Sequence, residues 1–223
     1  MALGRTSVIA LMALVAVAAP GVAGAAWTGP FARTASNPAD RLAALPIEAG
    51  GYDRAEGCTR RTAAPGALAL ASWLGRTTAG TSWGVVRCER WGAGSASLHA
   101  EGRAVDWRLD AGRPAERRAA RRLIALLLAP DRKGRPAALA RRMGVQEIIF
   151  DCRGWFGGAP ALGPYARCRA KGVDRTTAHR DHVHLGLTKD GAAKRTSFWT
   201  RRAPAPDKRE RWTPPPPLDL LPD

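Results

Sequence analysis

The chain has 223 residues, with 35 Lys and Arg against 19 Asp and Glu for a formal charge of +16, and only four cysteines and four histidines. That length suits one domain with a sizeable core. No Cys-x-x-Cys pair, internal repeat or second long apolar run occurs, which argues against a thiolate zinc site, a solenoid and a membrane-spanning protein. The positive surplus suits a polyanionic partner (nucleic acid, acidic lipid or an anionic cell wall) or simply an Arg-rich solvated surface.

In chain order, Arg5 precedes a wholly apolar run from Val8 to Ala19, and small residues follow at Ala23-Gly24-Ala25. These are the marks of a secretory signal over residues 1–25, cleaved near Ala25 or Ala26; the run is shorter than the roughly 20 residues of a spanning helix. A secreted, wall-associated, monomeric protein is the expectation, with no stable membrane insertion after cleavage. Residues 26–62 are rich in Gly, Pro and Ala. They read as an extended arm that packs Leu42, Leu45, Ile47 and Tyr52 on a folded domain over 63–200.

Pro65 opens a helical pattern through Leu68, Ala71, Trp73 and Leu74. Strands are expected over Trp83–Cys88, Arg103–Leu109, Val145–Asp151 and His182–Thr188. Pro114 opens a helix to about Ala129, in which Leu123, Ile124, Leu127 and Leu128 face the core and Arg117, Arg118, Arg121 and Arg122 form a solvated side. A shorter helix over Pro136–Met143 is stopped by Gly144. Phe198 and Trp199 pack back on the domain, and a Pro-rich, disordered tail covers 201–223. Mixed strands and helices without long crossovers predict an α+β fold, a small antiparallel sheet with flanking helices.

Cys58, Cys88, Cys152 and Cys168 form an even set, which favours two disulfides in an oxidising compartment. Of three connectivities, Cys58–Cys88 and Cys152–Cys168 close the shorter loops. The second would clamp a loop from Gly154 to Tyr165.

All four histidines fall in two short windows, Ser97-Leu98-His99-Ala100-Glu101-Gly102-Arg103-Ala104-Val105-Asp106-Trp107 and His179-Arg180-Asp181-His182-Val183-His184. On a strand His182 and His184 share one face, and Asp106 lies on the preceding candidate strand. Gly102 lets the backbone bend between His99 and Asp106. Two imidazoles and a carboxylate make a three-ligand set of the catalytic zinc type, with a fourth position for water.

Ser-x-His-x-x-Gly-x-Ala-x-Asp followed by a distant His-x-His resembles the D-Ala-D-Ala carboxypeptidase and endopeptidase group of zinc peptidases, most of all its secreted actinobacterial members. The group shares a fold with lysostaphin-type enzymes and the hedgehog signalling domain, and the likeness runs over roughly Cys58 to Trp199. It implies zinc on the sheet, held by His99, Asp106 and His184, acting as a Lewis acid on a peptidoglycan peptide bond and lowering the pKa of water. It also implies a substrate-side role for Ser97, a structural one for Arg103, and a tetrahedral-oxygen holder upstream, for which Arg87 and Arg90 are the candidates. Where many relatives carry a glutamate three residues before the last ligand, this chain has Asp181, one methylene shorter. On a regular strand Asp181 points away from His184, so it must precede the alternation. Asp181 ranks first as general base and His182 second, and geometry decides. The spacing of His179, His182 and His184 also resembles the murein endopeptidase branch, where histidines fill such roles.

The same residues allow a non-catalytic zinc protein that binds the wall. A nucleic-acid partner is not expected, because the eight tryptophans are scattered.

Overall fold

A computed structural model describes residues 37–59, 62–88 and 96–204. The expected signal (1–25), the start of the arm, Arg90 and the tail from residue 205 lie outside the described residues.

Six strands form one antiparallel sheet: β1 (Thr81–Gly84), β2 (Ala104–Arg108), β3 (Val145–Phe150), β4 (Arg153–Phe156), β5 (Gly163–Pro164) and β6 (His182–Leu187), in the order β1-β2-β6-β3-β4-β5. The α+β class is therefore as expected. The last of these strands, β6, occupies the middle, between β2 and β3, and all six of its residues are buried. Alternation then sorts its side chains. Val183, Leu185 and Leu187 join Val105, Trp107, Ile148 and Phe150 in the core, while His182, His184 and Gly186 lie on the opposite face beside Arg108, Asp106 and Ala104.

Helices supply the other half of that core. In α1 (Pro65–Thr77) Ala67, Leu70 and Leu74 recur at helical spacing and are buried; in α2 (Pro114–Leu128) Ala120, Leu123, Ile124 and Leu127 do the same. Each helix has proline in its first turn, where the missing N–H costs nothing. Arg118, Arg121 and Arg122 of α2 are exposed. The third helix, α3 (Ala138–Met143), starts two residues later than Pro136 and ends, as expected, at a left-handed Gly144. Two single turns follow β6, α4 (Lys189–Ala192) and α5 (Ser197–Thr200). On α5, Phe198 sets its ring edge-on to Trp73 and Trp199 Nε1 donates to the Met143 carbonyl at 3.1 Å.

The described part of the arm, from residue 37, is not extended throughout. It starts with a 3₁₀ turn over Pro38–Leu42, capped by the Asn37 side chain. Leu42 is buried and Ile47 packs on the core, and arginines add much of the polar attachment. Arg135 donates to the Leu45 and Ala43 carbonyls, Arg141 to that of Glu48, and the fully buried Arg142 to those of Pro46 and Leu45, at 2.7–3.1 Å. An extended segment has unpaired carbonyls, and a planar guanidinium with several donors satisfies them in groups.

The expected loop from Gly154 to Tyr165 contains strands instead. β3 and β4 are joined through Asp151 and Cys152, both at positive φ (47° and 59°), the turn geometry that suits right-twisted hairpins. Asp-Cys is not a familiar turn pair, so no sequence signal marked it. Both disulfides join the pairs that close the shorter loops, Cys58–Cys88 and Cys152–Cys168. Among the described residues no helix is long and apolar enough to cross a membrane.

Candidate metal centre

Three elements bring the candidate ligands together. Asp106 on β2 and His184 on β6 are cross-strand partners in an antiparallel register, which points both side chains off the same face. His99 comes from a 3₁₀ turn, Leu98–Glu101, whose N-cap is Ser97; the Ser97 hydroxyl accepts from the His99 amide at 3.3 Å. Gly102 then reverses the chain into β2 with φ 63°, and a Cβ there would stand 2.5 Å from the Thr62 carbonyl oxygen. Left-handed backbone and close approach both require glycine at this point.

The three side chains are 1 %, 2 % and 6 % exposed for His99, Asp106 and His184. His99 Nε2 lies 3.0 Å from Asp106 Oδ1 and 3.2 Å from His184 Nδ1, and the Asp106 Oδ1 to His184 Nδ1 distance is 2.9 Å. A tetrahedral ion with bonds of about 2.0–2.1 Å separates its ligand atoms by about 3.3–3.4 Å, so this triangle is close to the size one face of such a site needs. The group could hold a metal ion.

The outer nitrogens support the same conclusion. A ligating histidine presents a lone pair when its other nitrogen carries the proton toward an acceptor. His99 Nδ1 sits 2.9 Å from the Val85 carbonyl, which can only accept, so Nε2 faces the triangle as a lone pair. His184 uses its ring the other way round, with Nε2 facing Glu147 Oε1 at 3.7 Å. Burial alone would raise the Asp106 carboxyl pKa, but the close approach of the His184 and His99 rings holds it well below the carboxylate range. Burial likewise opposes charge on His184, yet Asp106 and Glu147 hold its pKa above the ordinary histidine value.

Around this triangle the remaining site residues fall into clear places. His182 Nε2 lies 3.4 Å from Asp106 Oδ1, and its Nδ1 lies 2.7 Å from Asp181 Oδ1. The other Asp181 oxygen accepts from the Thr176 hydroxyl at 2.7 Å. Asp181 does precede the strand, as required, but its carboxylate is committed to the back of the His182 ring. The side chain that reaches toward the triangle is His182. Burial keeps His182 below its ordinary pKa. His179 stacks against His182 with ring centroids 4.7 Å apart, and burial drives its pKa down to about 2. All four histidines thus share one cluster.

Arg87 Nη1 pairs with Asp106 Oδ2 at 2.9 Å while its side chain stays 45 % exposed. The expected strand Trp83–Cys88 is in fact β1 over Thr81–Gly84, because residues 85–88 leave the sheet to serve this site. There the Val85 carbonyl takes the His99 ring and the Arg87 amide donates to the His99 carbonyl at 3.2 Å. Trp83, 49 % exposed, sets its ring edge against His182 at 5.5 Å. Arg103 is buried and bonds Glu101 and the Leu187, Asp53 and Arg54 carbonyls, a structural role. Sequence reasoning passed over Glu147, Tyr52 as a hydrogen-bond donor, Thr176 and the Val85 carbonyl. Only Glu147 carried a signal: an acid inside the otherwise apolar run Val145–Phe150.

No protein-family model, curated protein or solved structure matches this chain.

Proposed function

We propose that the protein is an exported zinc peptidase of the D-Ala-D-Ala carboxypeptidase and endopeptidase kind, acting on the peptide of peptidoglycan. The observation that carries this reading is the triangle of His99, Asp106 and His184 with the His182 imidazole beside it. The two disulfides suit an oxidising compartment and so agree with export.

His99, Asp106 and His184 would hold the ion. When bound, zinc supplies Lewis acidity toward a carbonyl oxygen and brings the pKa of water toward about 7. The chain's own residues do the rest. Asp181 fixes the His182 tautomer by accepting a hydrogen bond from Nδ1–H, leaving the Nε2 lone pair toward the reaction centre to take up and return a proton. Thr176 holds Asp181 in place. The half-exposed Arg87 guanidinium, one carboxylate away from the ligand nitrogens, offsets negative charge that develops on the attacked carbonyl. Ser97 acts through the turn that carries His99.

A second reading draws on the Asp181 contacts. The acid at the position of the family's glutamate, Asp181, has its carboxylate tied to His182 and Thr176. A zinc protein that binds wall peptides without cleaving them would show this same arrangement. Incubation of the zinc-loaded protein with purified sacculi, followed by mass spectrometry of released peptides, separates the two. Cleaved stem peptides or cross-links that disappear in His99→Ala and with chelator establish the peptidase. Stoichiometric zinc and retained wall binding without product would leave the binding protein.

A further inference from the structure

We infer that Tyr52 on the arm and Glu147 on β3 are positioning residues of the metal centre, so that the arm sets how tightly the ion is held. This rests on the metal-binding half of the reading above and not on peptidase activity.

His184 turns Nδ1 into the ligand triangle, which leaves Nε2 outside, and the group facing it is the Glu147 carboxylate, whose Oε1 stands 3.7 Å away, an ion-pair distance and longer than a hydrogen bond. A carboxylate behind a ligating imidazole fixes the ring and raises its basicity, and losing such a partner typically weakens metal binding about 10–100-fold. A glutamate side chain has three rotatable bonds, so it does this well only when held itself. Tyr52 does the holding: its hydroxyl donates to the far oxygen, Oε2, at 2.6 Å. Burial and the neighbouring Glu147 charge push the Tyr52 pKa well above its ordinary value, so the hydroxyl remains a donor. Gly186 is the cross-strand partner of Glu147; a Cβ at 186 would clash with Leu98 Cδ1 and stand 3.1 Å from Glu147 Cβ.

Tyr52 in turn sits on a pinned segment. Its ring lies 6.1 Å from that of Phe156. Asp53, the next residue, receives and returns hydrogen bonds with the Gln146 side chain at 2.7 and 3.0 Å, accepts from the Lys189 amide at 2.7 Å, and accepts from Arg103 at 3.0 Å. Gln146 stands where the β3–β6 register shifts, immediately before Glu147. The arm is therefore clamped one residue away from the contact that matters. If its purpose were attachment alone, the Asp53 bonds would already provide it. A tyrosine hydroxyl aimed at the carboxylate behind a ligand histidine adds a direct link to the metal centre.

The test is the zinc dissociation constant of the full chain, measured by competition with a chromogenic chelator, for the parent, Tyr52→Phe, Glu147→Gln and the double variant. Melting of the metal-free proteins is recorded in parallel. Glu147→Gln is expected to weaken zinc about 10–100-fold. Tyr52→Phe, which removes one oxygen and keeps the ring, should weaken it several-fold, and the double variant should be no worse than Glu147→Gln alone because both changes break one chain. A parent that binds one zinc while both variants stay within twofold of it overturns the inference and leaves the metal centre standing, even where metal-free melting falls. A parent that binds no zinc overturns the metal centre and this inference together.

Discussion

The two faces of the sheet are built from alternate residues of the same strands, yet they are held in different ways. On the helix side, Val105, Trp107, Val183, Leu185 and Leu187 meet α1, α2 and α3 through dispersion and the hydrophobic effect. On the other side Asp106, His182, His184 and Glu147 meet a 3₁₀ turn, the arm and the segment 85–88 through directed hydrogen bonds. The first face tolerates changes of shape at a cost in stability, because non-directional packing can relax. The second face depends on geometry, so an isosteric change there can remove function while the fold persists. Stability and metal affinity should therefore separate cleanly along a single strand.

The largest expected effect tests that separation on adjacent residues of β6. His184→Ala removes a ligand, so zinc stoichiometry should fall from one to near zero and hydrolysis of wall peptide should vanish, as read by metal analysis and product mass spectrometry. Leu185→Ala, one residue on and fully buried, should instead cost about 2–5 kcal/mol, read by denaturant unfolding. The folded fraction of that variant should still bind one zinc. A Leu185→Ala protein that folds but has lost zinc would show that the two faces are coupled and sink the comparison.

The same division explains what could be read from the sequence. Apolar periodicity marks the helix face, so α1, α2, β3 and β6 were found nearly to their ends, and proline marked each long helix start. The candidate ligand set was visible because histidine is scarce here and a period of two places His182 and His184 on one face. Outer partners were not visible, since a carbonyl such as that of Val85 carries no residue identity, and Tyr52 meets Glu147 across 95 positions. β1 was displaced for a related reason: residues 85–88 look like strand but give their polar groups to His99 and Asp106. Which of the adjacent Asp181 and His182 side chains turns toward the triangle was likewise not visible, because a sequence does not fix how two neighbouring side chains are directed.

The disulfides sharpen the comparison at a smaller scale. Removing either one by paired serine substitution should cost roughly 3 kcal/mol, since the closed loops differ little in the logarithm of their length. Their effects on zinc should differ. Cys88 ends the segment that carries the Val85 carbonyl and Arg87, so Cys58→Ser/Cys88→Ser should also weaken zinc several-fold. Cys152 sits in the turn whose amides bond the Ala178 and His179 carbonyls, outside the ligand triangle, so Cys152→Ser/Cys168→Ser should leave zinc affinity within twofold. Equal losses of affinity from both pairs would mean that general loosening governs the site, against the specific role given to residues 85–88.

The smallest effect is expected at Arg121 on α2, on the side of the sheet away from the candidate metal centre. Arg118, Arg121 and Arg122 are exposed and have no acidic partner among the described residues. Arg and Glu have similar helix propensity, and a surface change of this kind usually moves stability by less than about 0.5 kcal/mol. Arg121→Glu should therefore melt like the parent and bind zinc equally well. Solvated arginines predict no more than this, and sedimentation with isolated cell walls at two salt concentrations is the stricter check. Unchanged sedimentation keeps these arginines as a wet helix face. A salt-sensitive loss of wall binding with stability and zinc intact would make them a second functional surface, because only a polyanion in contact with α2 would register the reversed charge while the metal centre did not.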